Sequence, residues 1–286
     1  MNMKTNLAKI QLLGAMGIFG TIGIVRYYIP MPAAAVACLR GVIGVAFLLL
    51  MMLATGKKPD LKSIGKKLAL LCVSGVAIGF NWVLLFEGYR YSVPTATVCY
   101  YMAPLFMILA SPLVGEKLSA KKLLCVAAAL VGMVLVSGLS AQGQILYAVL
   151  FGLGAAVLYA SVILMNRGLG SVAVYDRTVV QLAAAALVLV PYVFFTDGFG
   201  FAALNATGWI LLAVLGIVHT GMAYALYFGA MGKLKTQTVA ILSYLDPVLA
   251  IILSALILKQ AMGGWQILGT ILVLGSALYS ELPDHK

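Results

Sequence analysis

Residues 95–132 read TATVCYYMAPLFMILASPLVGEKLSAKKLLCVAAALVG, and residues 238–275 read TVAILSYLDPVLAIILSALILKQAMGGWQILGTILVLG. At a constant shift of 143, Thr95 falls on Thr238, Pro104 on Pro247, Glu116 on Lys259 and Gly132 on Gly275. Upstream the shift becomes 141, pairing Leu70, Leu71, Val73 and Gly75 with Leu211, Leu212, Val214 and Gly216, and Gly88 with Gly229. The chain is therefore a repeat, and a repeat read first bounds the whole architecture.

Both copies are nearly free of charge, and so is the rest of the chain: 63% of its 286 residues are apolar and 9% are charged. A soluble domain keeps roughly 25% charged residues to face water, so no water-exposed surface of ordinary size can be made here. In lipid every backbone polar group must be satisfied internally, which leaves helices or closed barrels. The apolar runs are far longer than the alternating segments of about 10 residues that build a barrel, and they read as helices. The net charge of +11 does not point to nucleic acid, because Lys and Arg sit in short loops rather than in a patch that follows phosphates. Cys38, Cys72, Cys99 and Cys125 fall in separate apolar runs without CxxC spacing, which supports neither a disulfide nor a metal site. No cofactor is expected.

A span needs about 20 apolar residues to cross roughly 30 Å of hydrocarbon. Ten segments meet that criterion, near residues 9–28, 33–54, 66–89, 94–114, 119–138, 145–166, 172–195, 207–231, 236–257 and 263–281. The first resembles a secretory signal only superficially, since it lacks a small-residue cleavage site and further spans follow. Turn and cap residues mark the breaks: Pro30 and Pro32, Gly56 to Pro59, Ser92 to Pro94, Ser119, Ser140 to Gly143, and Gly263 with Gly264. With the N-terminus cytoplasmic, fifteen Lys and Arg residues fall on the inner side and three, Arg26, Arg90 and Lys259, on the outer side, while Arg40 lies within a span. The positive-inside rule then places both termini in the cytoplasm.

Five spans per half is an odd number, so the second half enters the membrane opposite to the first. The expected fold is an all-α integral membrane protein of ten transmembrane helices in two inverted five-helix repeats, residues 1–142 and 143–286, multi-pass in the cell membrane. Inverted repeats recur in secondary transporters, which bind substrate near the midplane at the repeat interface.

The ten spans, the repeat, the stretch from Thr95 to Pro104 followed by Gly115-Glu116-Lys117-Leu118-Ser119, and Tyr244-Leu245-Asp246-Pro247 resemble the EamA-type drug/metabolite transporter superfamily. The resemblance covers essentially the whole chain and implies a carrier that holds substrate centrally between spans 1, 3, 4, 6, 8 and 9. It leaves the substrate open, because members handle amino acids, nucleotide sugars, choline, purines and other small metabolites. One departure stands out: the family often repeats a Gly-Glu pair at the end of span 9, where this chain has Lys259 opposite Glu116. Glu116 is thus expected to organise the basic turn with Lys117, Lys121 and Lys122.

An ionisable group at the bilayer centre costs about 2.5 to 3.5 kcal/mol on insertion scales and needs a partner or a function. Asp246 lies near mid-depth in span 9 beside Pro247, and its repeat mate is Ala103. It can bind a substrate amine, carry a proton, or hydrogen-bond to backbone freed by the proline. His219, the histidine within span 8, suits a proton relay or a structural hydrogen bond. Asn81, Trp82, Tyr100, Tyr101 and Tyr244, with Phe19 and Tyr159, can line a cavity at one depth, and aromatic faces beside a carboxylate suit an amine through cation–π attraction; the alternative is plain packing. Arg40 can snorkel outward to pair with Glu87, as structure or as an outer gate. Gly14, Gly17, Gly20 and Gly23 put a small-residue stripe on span 1, suited to close packing or to sliding helices.

These residues favour a secondary carrier, an exporter of a small polar metabolite such as an amino acid or an organic amine, with protons as a candidate coupling ion. Uptake of a nucleoside or quaternary amine, or a non-transporting membrane role, is the alternative. No GxxxxGK[ST] motif is present for ATP hydrolysis. Nucleophiles and metal ligands are too sparse for an enzyme. The expected partners are the lipid bilayer and a small-molecule substrate; the oligomeric state is left open.

Overall fold

The computed structural model describes residues 3–56, 58, 60–110, 120–137, 143–231, 233–234 and 236–282. The turn at Glu116 and Lys117, the Ser119 cap and the Ser140 turn lie outside the described residues. Over its described residues each of the ten apolar segments is helical, six as a single helix and four as an interrupted one. In chain order they are α1 (Met3–Gly20) with α2 (Ile22–Tyr27), α3 (Ala33–Ala54), α4 (Leu61–Tyr91), α5 (Val93–Tyr100) with α6 (Ala103–Ala110), and α7 (Ala120–Ser137). The second half continues with α8 (Gln144–Arg167), α9 (Val174–Phe195), α10 (Ala206–Gly216) joined through Ile217–Met222 to α11 (Ala223–Met231), α12 (Thr236–Ser243) with α13 (Leu245–Ile257), and α14 (Gly264–Glu281). Among the described residues, seven stretches are long and apolar enough to cross a membrane, and the segments at Leu245–Ile257 and Gly264–Ser280 are shorter.

The helix ends follow the local chemistry. The Asp60 carboxylate accepts from the amides of Lys62 and Ser63 and caps α4, Ser92 caps α5 ahead of Pro94, and Asn205 caps α10 through the amide of Gly208. Each cap satisfies a donor that has no partner within its own helix.

Packing follows the sequence repeat. The repeat mates α3 and α9 lie against each other, as do α7 and α14. Helices α5 and α6 pack on α8 in the way that α12 and α13 pack on α1, and α4 packs on α8 as α11 packs on α1. The backbones of α7 and α14 approach so closely that a Cβ on Gly132 would stand 2.7 Å from the Gly269 carbonyl oxygen.

Three apolar clusters result. The largest joins α3, α4 and α9 around Leu48, Phe86, Leu182 and Leu189. A second joins α5–α7 and α14. The third, with Ala8, Leu12, Met16, Ala230 and Val239, seals α1 against α11 and α12 at the end of the bundle opposite Pro30. A polar tie runs through the first cluster's helices, where the buried Gln181 amide donates to Ser74 Oγ at 2.6 Å and to Asn166 Oδ1 at 2.8 Å.

The glycine stripe of α1 and α2 has two uses. At Gly20 an added Cβ would sit 2.8 Å from Leu249 Cβ and 2.9 Å from the Asp246 carbonyl oxygen, and Gly23 meets Val93, whereas Gly14 and Gly17 face open space. Overpacking of this kind costs about 1–3 kcal/mol. Gly20→Ala is therefore expected to lower the thermal unfolding temperature of the purified protein, and Gly14→Ala to leave it unchanged.

Candidate functional site

The four interruptions have physical causes. Pro104 and Pro247 lack an amide hydrogen, so the carbonyls of Tyr100 and Ser243 lose their helical donors and the chain breaks one turn before each proline. The breaks fall at Tyr101–Met102, where the Met102 amide donates to Cys99, and at Tyr244. These are repeat mates at the shift of 143, and their rings meet with centroids 6.1 Å apart. Ile217–Met222 forms a π-helical turn, in which the Thr220 hydroxyl donates to the carbonyl of Leu215 five residues back. The corresponding stretch of α4 is uninterrupted, so the π turn belongs to one half only. Thr21 interrupts the first segment, its hydroxyl donating to Ile18.

Around these breaks the polar groups converge. Tyr101 donates to Asp246 Oδ2 at 2.6 Å, a length typical of a hydroxyl bonded to a charged oxygen. Tyr89, Tyr100 and Tyr159 also lie within electrostatic reach of that carboxyl. The Tyr100 ring lies 5.9 Å from Tyr101 and 5.3 Å from Tyr159. Phe19 packs edge-on against Tyr224 at 5.7 Å and Tyr227 at 6.2 Å. Tyr100, Tyr101, Tyr224, Tyr227 and Asp246 are half-buried, and Tyr159 keeps 39% of its surface.

His219 is 3% exposed and bridges two breaks. Its Nδ1 stands 3.2 Å from the Val214 carbonyl oxygen, and its Nε2 stands 2.9 Å from Thr21 Oγ1. A carbonyl only accepts, so Nδ1 carries hydrogen. Thr21 then has one hydroxyl hydrogen and two claimants, Ile18 and Nε2. Protonating Nε2 releases that hydrogen wholly to Ile18, which couples the charge of the ring to the turn between α1 and α2.

Arg40 departs from expectation. Its guanidinium lies 4.2 Å above the Trp82 ring and 5.5 Å from Phe86, and its Nε donates to Thr220 Oγ1 at 2.7 Å. It does not snorkel outward, and the expected pair with Glu87 is absent. Phe86 faces Arg40, and successive helical residues diverge by about 100°, so Glu87 points away and pairs with Arg90 at 2.7 Å, three residues on. Asn81 donates to the Ala155 carbonyl at 2.6 Å and ties α4 to α8.

A cavity of about 560 Å³ opens at the Pro30 end of the bundle, lined by Arg26, Tyr27, Phe86, Tyr89, Arg90 and Asp197 among others. Arg26 Nη1 and Nη2 donate to the carbonyls of Ile29 and Met31 and hold the rim loop. Phe86 lies beside Arg40, and Tyr89 is within electrostatic reach of Arg40 and of Asp246.

Sequence reading missed Tyr89, Tyr224, Tyr227, Thr220 and Thr21. Helical spacing could have found Tyr89, two turns beyond Trp82, and the pair Tyr224 and Tyr227 just after His219. The π turn that aims Thr220 at Arg40 leaves no such signal.

Apolar helices, four of them interrupted beside polar side chains, define a class: a polytopic helical membrane protein. The sequence pattern of the EamA-like transporter family matches residues 6–138 and 146–280, and the chain belongs to that family. It is similar to the uncharacterized transporter YxxF of Bacillus subtilis, with 28% identity over 282 residues, covering 96% of this chain and 90% of that protein. An uncharacterized transporter of Archaeoglobus fulgidus is 27% identical over 188 residues, covering 63% of this chain and 66% of its own. A solved structure described only as the crystal structure of a protein shares the fold, with a TM-score of 0.63 at 21% identity and 96% of each chain covered.

A hydrogen bond to a charged group is worth about 1.5–3 kcal/mol. Tyr101→Phe is expected to destabilise the protein by that order in thermal or chemical denaturation. Tyr100→Phe, whose hydroxyl bonds to no described residue, is expected to have a smaller effect.

Proposed function

We propose that this transporter is a secondary carrier that exports a small polar metabolite, an amino acid or an organic amine, by alternating access. The observation that carries the reading is the Asp246 carboxyl, held by Tyr101 among enclosed phenols where four interrupted helices meet. In lipid a broken helix is tolerated where it is buried in protein or lines a cavity, and carriers place substrate at such breaks. The ten spans form two inverted five-helix halves with both termini in the cytoplasm of the cell. Support comes from the symmetric packing of repeat mates, the meeting of Tyr101 with Tyr244, and the excess of Lys and Arg in alternate loops.

In that orientation the 560 Å³ cavity faces outward, and the Leu12–Met16–Val239 cluster closes the cytoplasmic side. In this reading Asp246 or His219 couples transport to protons. The phenol-rich lining also suits a quaternary amine through cation–π attraction, which supports uptake of such a nutrient as the second reading.

Two experiments bear on this reading. In proteoliposomes, Asp246→Asn is expected to insert normally, lose most transport and lose its dependence on a pH gradient. Unchanged rate and pH dependence would remove Asp246 from the mechanism. Cysteines placed singly at Lys58 and Lys233 are expected to label from the same side and one at Arg90 from the other; labelling of 58 and 233 from opposite sides would break the inverted topology.

A further inference from the structure

We propose that the seam between α7 and α14 binds an anionic phospholipid of the inner leaflet, with one acyl chain in the groove between the two helices and the headgroup phosphate against Lys121. The choice of leaflet rests on the orientation proposed above; the transport reading plays no part in it.

The groove comes from how these two repeat mates pack. Their backbones touch at Gly132 and Gly269, yet six residues further along α14 a Cβ on Gly275 would meet open space. A cavity of about 300 Å³ lies there between the helices. Ala128 and Gly275 give it depth because they add so little side chain, and Leu124, Ile271 and Tyr279, all exposed, border it. The hydroxyl of Ser276, which also lines it, donates to the Val273 carbonyl of its own helix, so the groove asks for an apolar occupant.

Its length and depth fit one hydrocarbon chain. From Ile271 to Tyr279 the groove follows α14 for about 12 Å at 1.5 Å per residue, close to the roughly 15 Å depth of a single leaflet. Tyr279 stands just before the end of α14 at Glu281, so the groove starts at the cytoplasmic interface and runs toward the midplane.

The mouth of the groove is basic. Lys121, Leu124 and Ala128 share one face of α7 at helical spacing, which sets Lys121 at the cytoplasmic end of the groove. Its ammonium lies 4.9 Å from the centroid of the Tyr279 ring and donates to the Leu282 carbonyl, so it reaches across from one helix to the other where a headgroup would sit. Lys122 follows it, and the cytoplasmic side as a whole carries fifteen Lys and Arg against five acidic residues, Asp60, Glu116, Asp176, Glu281 and Asp284. Basic residues beside a membrane span attract anionic headgroups of the cytoplasmic leaflet. A second copy of the chain docked on this seam would instead bring its own Lys121 and Lys122 toward these, a like-charge meeting that disfavours it.

The test uses the full-length protein, purified in detergent and stripped of lipid, with native mass spectrometry to measure bound lipid and thermal unfolding as a second readout. The probes are phosphatidylglycerol and phosphatidylcholine with identical acyl chains, and glycerophosphoglycerol, which is the first headgroup without chains. Phosphatidylglycerol is expected to bind at least about fivefold more tightly than phosphatidylcholine and to raise the unfolding temperature further, and glycerophosphoglycerol to do neither. Lys121→Gln is expected to remove most of that preference and Lys121→Arg to keep it, while Lys66→Gln, which removes an exposed charge elsewhere on the cytoplasmic side, leaves it unchanged. Gly275→Leu, which fills the groove, is expected to weaken both lipids. Equal binding of the two lipids by the unmodified protein would overturn the inference. So would a preference that Lys121→Gln and Lys66→Gln reduce alike, which would spread it over the whole basic face, or protection by glycerophosphoglycerol equal to that of the intact lipid, which would leave only an anion contact. A dimer that Gly275→Leu converts to a monomer would give the groove to a second copy and overturn it as well. The comparison of lipids on the unmodified protein decides the matter even if a variant fails to fold, and the cysteine labelling of residues 58, 90 and 233 tests the orientation separately.

Discussion

A backbone amide or carbonyl that loses its helical partner inside lipid has no water to turn to. The rest of this structure depends on that constraint. Each of the four interrupted helices frees polar backbone, and at three of them side chains or a neighbouring turn take it up: Thr21 on Ile18 at the first, Met102 on Cys99 at the second, and Thr220 on Leu215 with His219 on Val214 at the π turn. The breaks cannot lie on the lipid face, so they meet inside the bundle. The polar site is the consequence of where the helices are broken.

The same constraint orders the charged groups. Asp246 follows the break at Tyr244 and is held across the bundle by the mate of that residue, Tyr101. Arg40 is held by Thr220, which the π turn aims at it. The two charged groups therefore depend on different interruptions, one made by the paired prolines and one by a π turn found in a single half. A fold assembled from repeated halves becomes asymmetric at its centre, at Ala103 opposite Asp246 and at the unbroken α4 opposite the π turn.

Much of the fold was legible because its signals are additive along the chain. Over their described residues the ten apolar runs are helical, seven of them long and apolar enough to cross a membrane, and Pro104 with Pro247 marks the sequence repeat. The breaks were harder to read. Proline marked two of them, but Thr21 and Ile217–Met222 carry no residue that forbids an ordinary helix, and tertiary contacts set their geometry. The site divides in the same way. Asp246, Tyr100, Tyr101 and Tyr159 stood out because a carboxyl and clustered phenols are rare at mid-span, and the structure brings them together. Arg40 was assigned to Glu87 because charge and depth matched. The face each side chain occupies decided otherwise, since Phe86 turns toward Arg40 and Glu87 is one step round the helix. Asn81 matched in depth and chemistry, and its bond to Ala155 gives it a structural task.

The central claim is that the phenols enclose a space reached by water and not by lipid, and Tyr159 tests it most directly because it keeps 39% of its surface while touching Tyr100. In a protein with Cys38, Cys72, Cys99 and Cys125 replaced, a cysteine at position 159 can be challenged with a charged, membrane-impermeant thiol reagent. The account predicts modification by that reagent and a slower reaction when substrate is bound. Reaction only with a lipid-soluble reagent, unaffected by any solute, would place Tyr159 against the bilayer and contradict it.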